Sequence, residues 1–288
     1  MSSPPVHRII QADTHTVPKP FRTFAVRSDE RDHAFEARAP YGRVHVMQTG
    51  FLDAGSLANL AAEGYSRVNI EAFSDVDYAN TTLDDLAAAA PHVVDLPGKI
   101  AHALLPSGVL GTDLELYRRS VVVRIDYLAM CGAGFHNDVS RHWSRCLFWI
   151  LALDVGNVEF VMPHAAVRLP LTPGDLLVFD QTMAHGLCRP EDGGHAIAAS
   201  FESGDGDGDG DGDGDDCRQI FLTGELLLTD TQWAGLDTPW LPVEHHECRD
   251  ALDLMVAEFD DRSGAIKGLR ALRDCMKRTT CHVDEPEG

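Results

Sequence analysis

Val121-Val122-Val123-Arg124-Ile125-Asp126-Tyr127-Leu128-Ala129-Met130-Cys131-Gly132-Ala133-Gly134-Phe135-His136-Asn137-Asp138 joins a β-branched run, a glycine-containing break and a His-x-Asp triplet. The run has the residue types of a strand. Side chains two apart in an extended chain share a face, so His136 and Asp138 can hold one ion while Asn137 points away. The triplet is answered 47 residues later (185 minus 138) by His185, which closes Gly174-Asp175-Leu176-Leu177-Val178-Phe179-Asp180-Gln181-Thr182-Met183-Ala184-His185. A second imidazole from a neighbouring strand would complete two histidines and one carboxylate. That is the facial set associated with non-heme Fe(II), and it leaves positions open for oxygen and a substrate.

His-x-Asp alone carries little weight among 14 histidines, as His282-Val283-Asp284 in the polar tail shows. The first match differs by its setting. Cys146 to Leu153, Val158 to Met162, Ala166 to Leu169, Leu176 to Phe179 and Ala196 to Phe201 are short β-rich runs separated by turn residues, as in a sandwich or barrel. Pro170-Leu171-Thr172-Pro173-Gly174-Asp175 is a strong turn between two of them. Arg145 and Trp149, at even spacing, would share a face and line a cavity, or else Trp149 packs in the core and Arg145 lies on the surface, while Asp180 and Gln181 would orient a metal-bound imidazole through its second nitrogen. His245-His246-Glu247 opens a helix and reads as surface.

The formal charge is −21, and the seven aspartates of the run 204–216 account for about a third of it. An acidic surface repels phosphate backbones, so nucleic acid is not an expected partner and a small molecule is. The run itself cannot bury apolar surface and reads as a solvated insertion. The seven cysteines contain no C-x-x-C pair, which offers neither a zinc knuckle nor a disulfide framework. No secretory signal or spanning apolar run is present, so the expectations are a cytoplasmic protein and no membrane partner.

Tyr127 to Asp138, Arg145 to Phe160, Pro173 to His185 and Gly193 to Phe201 resemble the double-stranded β-helix core of the Fe(II)/2-oxoglutarate-dependent oxygenases, especially the prolyl-4-hydroxylase-like branch. The resemblance implies an α+β fold: a jelly-roll, cupin-like core with N-terminal and C-terminal helices. It implies His136, Asp138 and His185 as metal ligands, Tyr127 as a co-substrate residue, and Fe(II), 2-oxoglutarate and O2 as cofactor and co-substrates. Retention of a carboxylate at Asp138 disfavours halogenation, because the family's halogenases replace it with a small residue.

One position departs from the family. Arg or Lys commonly stands about ten residues after the distal histidine to grip the far carboxylate of 2-oxoglutarate, and here that residue is His195. Either His195 serves when protonated, or Arg189 reaches in from the preceding turn, or 2-oxoglutarate is not used. An unperturbed imidazole titrates near ~6.5, whereas a guanidinium stays charged.

The organisation expected is a flexible N-terminal arm over 1–21, a helical and mixed layer packing on the barrel over 22–119, the oxygenase core over 120–203, the Asp-Gly insertion over 204–216 and a C-terminal helical extension over 217–288. Helices are predicted at Ser56 to Glu63 and Thr82 to Ala90, at a capping box Thr229-Asp230-Thr231-Gln232, and over 247–259 and 265–278. Three functions stay open: hydroxylation or desaturation of a small-molecule or amino-acid-like substrate coupled to 2-oxoglutarate decarboxylation; a 2-oxoglutarate-independent Fe(II) oxygenase or oxidase; and a non-catalytic metal- or ligand-binding cupin-like barrel. The oligomeric state and the substrate are not legible.

Overall fold

A computed structural model of the chain describes residues 7–11, 36–38, 43–49, 52–68, 76–104, 122–130, 132–136, 146–162, 167–181, 184–190, 218–227, 240–242, 255–259 and 266–271. The strands are β1 His7–Gln11, β2 Glu36–Arg38, β3 Arg43–Gln48, β4 Val76–Thr81, β5 Val122–Met130, β6 Ala133–His136, β7 Cys146–Asp154, β8 Glu159–Met162, β9 Val167–Pro170, β10 Asp175–Phe179, β11 His185–Cys188, β12 Gln219–Leu227, β13 Trp240–Pro242, β14 Met255–Phe259 and β15 Ile266–Ala271. The helices are α1 Ala54–Arg67, α2 Leu83–Ala89 and α3 Leu96–Leu104, with a 3-10 turn at Pro91–Asp95.

Seven strands form one antiparallel sheet in the order β1-β3-β10-β7-β12-β5-β4, and four form a second in the order β6-β11-β8-β9. From β5 to β12 the chain passes back and forth between the two: β5, β7, β10 and β12 lie in the large sheet, β6, β8, β9 and β11 in the small one. This winding is a jelly-roll core. Alternation assigns the faces. Leu128, Met130, Ile150, Ala152, Leu177, Phe179 and Phe221 of the large sheet meet Ala133, Phe160, Met162, Val167, Leu169 and Leu187 of the small one in a shared apolar interior. The intervening residues Tyr127, Ala129, Leu147, Trp149, Leu151, Leu176, Val178, Ile220 and Leu222 pack on the opposite face, with Leu60, Leu86, Val93, Leu96 and Ile100 of the helical segment.

Within the helical segment, α1 covers the predicted helix Ser56 to Glu63, and α2 all of Thr82 to Ala90 but its two ends. Asp53 caps α1 by accepting the Ser56 N–H at 2.7 Å, and Thr82 caps α2 by accepting the Asp85 N–H at 3.2 Å; each satisfies a donor that the first turn leaves without a helical partner. Gly64 lets α1 lie on the sheet, since a Cβ there would stand 2.8 Å from Tyr127 Cδ1 and 2.9 Å from Ile220 Cγ2. The predicted turn before β10 also forms. Gly174 adopts φ +93°, and Asp175 accepts from both the Thr172 amide, at 2.9 Å, and its hydroxyl, at 2.8 Å.

Several expectations need correction. His7–Gln11, inside the expected flexible arm, is β1, paired antiparallel with β3; adjacent Ile9 and Ile10 favour the extended chain. The large sheet draws on both sides of 120–203, since β3 and β4 precede that range and β12 follows it, in the slot between β7 and β5. The predicted C-terminal helices are contradicted where described: 255–259 and 266–271 are the antiparallel hairpin β14 and β15. Met255, Val256 and Phe259 fit helical spacing, but Met255 and Ala257 equally fit strand alternation. A central Gly268 and the turn-forming residue types between the strands decide for the hairpin. The segments 196–201, 204–216 and 229–232 lie outside the described residues.

Candidate metal centre

β6 and β11 run antiparallel as neighbours in the small sheet, and their register places His136 directly opposite His185. A bulge between this pair and the Ala133–Leu187 pair supplies the extra residue on β6 that re-aims the strand end. Histidines far apart in the chain thus become cross-strand partners, with ring centroids 4.5 Å apart and planes tilted by 54°.

This geometry fits one ion. Two imidazoles bound at right angles place their centroids about 4.5 Å apart, because each nitrogen stands about 2.1 Å from a metal and each centroid roughly 1.1 Å beyond it. The local chain also selects the nitrogen. His136 Nδ1 lies 2.7 Å from the Gly134 carbonyl oxygen; a carbonyl can only accept, so Nδ1 carries the proton and Nε2 keeps its lone pair for a ligand. His185 is 6% exposed while His136 is exposed, so an ion between them would stand at the rim of the interior.

The surroundings of His185 are aromatic. Its ring lies 4.9 Å from Phe179 in an edge-on arrangement and 6.0 Å from Phe160, and Phe179 in turn meets Phe148 at 5.8 Å. Phe148 is half-buried, so a run of aromatic faces leads from the histidine toward solvent. Across the interior, register lines up Asn80, Asp126, Thr223 and Ile150 on successive strands of the large sheet. Asp126 is 4% exposed and accepts from Asn80 Nδ2 at 3.3 Å. Sequence reading passed over this polar row; the alternation of β5 with Leu128 and Met130 is the signal that would have placed Asp126 inside.

The remaining residues separate into three groups. Asp138, the expected carboxylate ligand, lies outside the described residues with Asn137, Arg145 and His195, and among the described residues no group of three ligating side chains occurs. Arg189, half-buried, directly follows β11 at the end away from His185, and Asp180 and Gln181 are buried just after β10. Trp149 takes the core-packing alternative, and Tyr127 lies on the same face. Both occupy the helix-facing cluster rather than the interior that His185 faces. The reason is parity: Leu128 and Phe148 point inward, so their neighbours point out.

On that outer face the Tyr127 hydroxyl and the Trp149 indole nitrogen are buried with no well-formed hydrogen bond among the described residues, although the Glu63 carboxylate stands close enough to act on the phenol. Burial above all, and then the Glu63 carboxylate, pushes the Tyr127 phenol well above its ordinary range, so it stays protonated. Arg67 lies over the same ring, 6.0 Å from its centroid, and pairs with Glu63 at 2.6 Å.

No family model matches this chain, and no curated protein matches it. Solved structures do. One is a collagen prolyl hydroxylase of Paramecium Bursaria Chlorella virus-1 in complex with 2OG, 8% identical, with 65% of this chain and 96% of that one covered and a TM-score of 0.41. Another is SnoN, a non-heme alpha ketoglutarate dependent epimerase from nogalamycin biosynthesis, at 15% identity, 78% and 90% coverage and a TM-score of 0.38. A third is a Pseudomonas putida prolyl-4-hydroxylase, at 14% identity, 61% and 82% coverage and a TM-score of 0.33. Two prolyl hydroxylases and an alpha ketoglutarate dependent epimerase are thus among the solved proteins to which this chain is similar.

Proposed function

We propose that the chain is an Fe(II)-dependent oxygenase that couples oxidative decarboxylation of 2-oxoglutarate to hydroxylation or desaturation of a small-molecule or amino-acid-like substrate. The observation that carries this reading is the cross-strand pair of His136 and His185, 4.5 Å apart at the rim of the jelly-roll interior. Asp138, two residues beyond His136, is the proposed third ligand. Bound there, Fe(II) with O2 would supply the oxidising power, one oxygen atom going to succinate and the other, in hydroxylation, to the product. The chain's own residues would hold and orient: His136 and His185 fix the ion, Gly134 fixes the His136 tautomer, and Phe179 and Phe160 keep water from the buried side of His185. Arg189 and His195 remain the candidates for the far carboxylate of 2-oxoglutarate.

The test is aerobic turnover with Fe(II) and labelled 2-oxoglutarate across a substrate panel. Stimulated succinate and carbon dioxide release, with a product heavier by one oxygen or lighter by two hydrogens, is expected from the wild type and not from His136→Ala. Release that survives His136→Ala would end the assignment. One observation favours a second reading, in which the substrate supplies the electrons. The described rings packed around His185, those of Phe160 and Phe179, are aromatic and apolar, which suits an apolar group better than a dicarboxylate. Product formation without carbon dioxide from 2-oxoglutarate would select it.

A further inference from the structure

Phe135, Val161 and Cys188 form a small apolar cluster of their own, 3%, 8% and 0% exposed. They do not belong to the interior between the sheets. Val161 pairs with Gly186 in the register of β8 and β11, and a Cβ on Gly186 would meet Phe135. Their neighbours Phe160 and Leu187 point inward, so by alternation Val161 and Cys188 face away from the large sheet. The outer face of the small sheet, behind the two histidines, is therefore buried.

α1 packs elsewhere, against β5, β7 and β12 of the large sheet. β14, which belongs to neither the large nor the small sheet, comes against β6. It belongs to a hairpin whose register pairs Met255 with Ala271 and Ala257 with Leu269, alternating with Val256–Arg270 and Glu258–Gly268. Positions 255, 257, 269 and 271 share one side of the hairpin and carry only apolar residue types, whereas the other side carries Glu258 and Arg270. A two-stranded hairpin is marginal alone and requires a surface to pack on.

We propose that the C-terminal hairpin β14–β15 is a clamp on the metal-binding edge: its apolar side covers Phe135, Val161 and Cys188 and holds β6 against β11, so that His136 and His185 stay within reach of one ion. β6 needs such support, being a four-residue edge strand with a bulge beside its ligand, and an edge strand has a neighbour on one side only. The hairpin residues are positioning residues, acting through the strand and not on substrate. The inference rests on the proposed metal site and extends it to a segment about 120 residues further along the chain (255 minus 136).

The experiment is anaerobic Co(II) titration, followed by the visible d–d absorption, of the full chain and of Leu269→Ala, Leu269→Met and Arg270→Ala, with urea denaturation of each metal-free protein. Leu269→Ala is expected to weaken Co(II) binding about tenfold or more and to change the d–d spectrum, with Leu269→Met restoring both. Arg270→Ala, on the other side of the hairpin, should leave both unchanged. Should Leu269→Ala fail to fold, Ala257→Ser makes the same comparison with a milder change. Wild-type affinity and spectrum in a folded Leu269→Ala or Ala257→Ser protein would overturn the clamp while leaving the metal site standing. Absence of Co(II) binding by the wild type would overturn both.

Discussion

Gly186→Ala tests the link between strand packing and ligand geometry. Gly186 follows His185 on β11, and a Cβ there would stand 2.9 Å from Phe135 Cδ1, 3.0 Å from the Ala133 carbonyl oxygen and 3.3 Å from that of Gly134. Its φ is not positive, so alanine meets no backbone objection and the obstacle is space. Two of the three opposing atoms are backbone of β6, and Phe135 is itself buried, so no flexible side chain can yield. β6 must shift outward by a few tenths of an ångström. The Gly134 carbonyl that crowds the new methyl is the one that accepts from His136 Nδ1, so the shift falls directly on the ligand pair. Overpacking of this kind costs about 1–3 kcal/mol. Part of that cost can be relieved in the metal-free protein by letting the histidines separate, and a bound ion forbids the relief. Each ~1.4 kcal/mol so transferred weakens metal binding about tenfold. Anaerobic Co(II) titration should therefore show binding weakened by about tenfold, with a urea midpoint for the metal-free protein only modestly lowered. Unchanged affinity and unchanged stability together would refute the reasoning.

Other outcomes follow from the same geometry. Tyr127→Phe removes a buried hydroxyl with no well-formed hydrogen bond among the described residues, so stability should stay within about 1 kcal/mol of wild type in urea denaturation, with apparent 2-oxoglutarate affinity within twofold; a tenfold loss would bring the hydroxyl into the site. Gly64→Ala gains about 1 kcal/mol of helix propensity but drives a methyl into Tyr127 and Ile220, and a net loss of about 1–2 kcal/mol is expected, measured by urea midpoint. The Asp53 carboxylate is held below its ordinary value of 3.8 chiefly by the Ser56 amide. Its contribution is present in full above the unfolded pKa and is lost as pH falls through the lower folded one. Asp53→Asn should flatten the acid limb of the stability profile without changing it near neutrality, and an unchanged acid limb would argue against the cap.

The β-rich half of the fold was legible because its strands are bounded by Gly, Pro and Asp and carry paired periodicities. Two helices of the N-terminal part were legible from their runs of helix formers, Ser56 to Glu63 and Thr82 to Ala90. The two histidines were legible because a His at a strand end and a second His after a Pro-Gly-Asp turn are local signals. What the sequence could not settle was parity. Whether Tyr127 or Leu128 faces inward depends on a one-residue choice of register, which flips every side chain of the strand, and nothing local to Tyr127 and Trp149 separates a cavity wall from the underside of a helix. The C-terminal hairpin was misread for a related reason: Leu252, Met255, Val256 and Phe259 satisfy a 3.6-residue period, but the span is too short to exclude a period of two carried by Met255 and Ala257. The position of β12 was hidden by the Asp-Gly run before it, since long-range pairing leaves no trace in local composition.

The most direct measurement is anaerobic Fe(II) binding to the wild type, His136→Ala and His185→Ala, with the visible charge-transfer band on adding 2-oxoglutarate as the readout of a shared centre. One equivalent of iron bound by the wild type, a band on addition of co-substrate, and loss of both in either variant are predicted. Wild-type iron affinity in either single variant would contradict the account, because it would show that the two imidazoles do not hold the same ion.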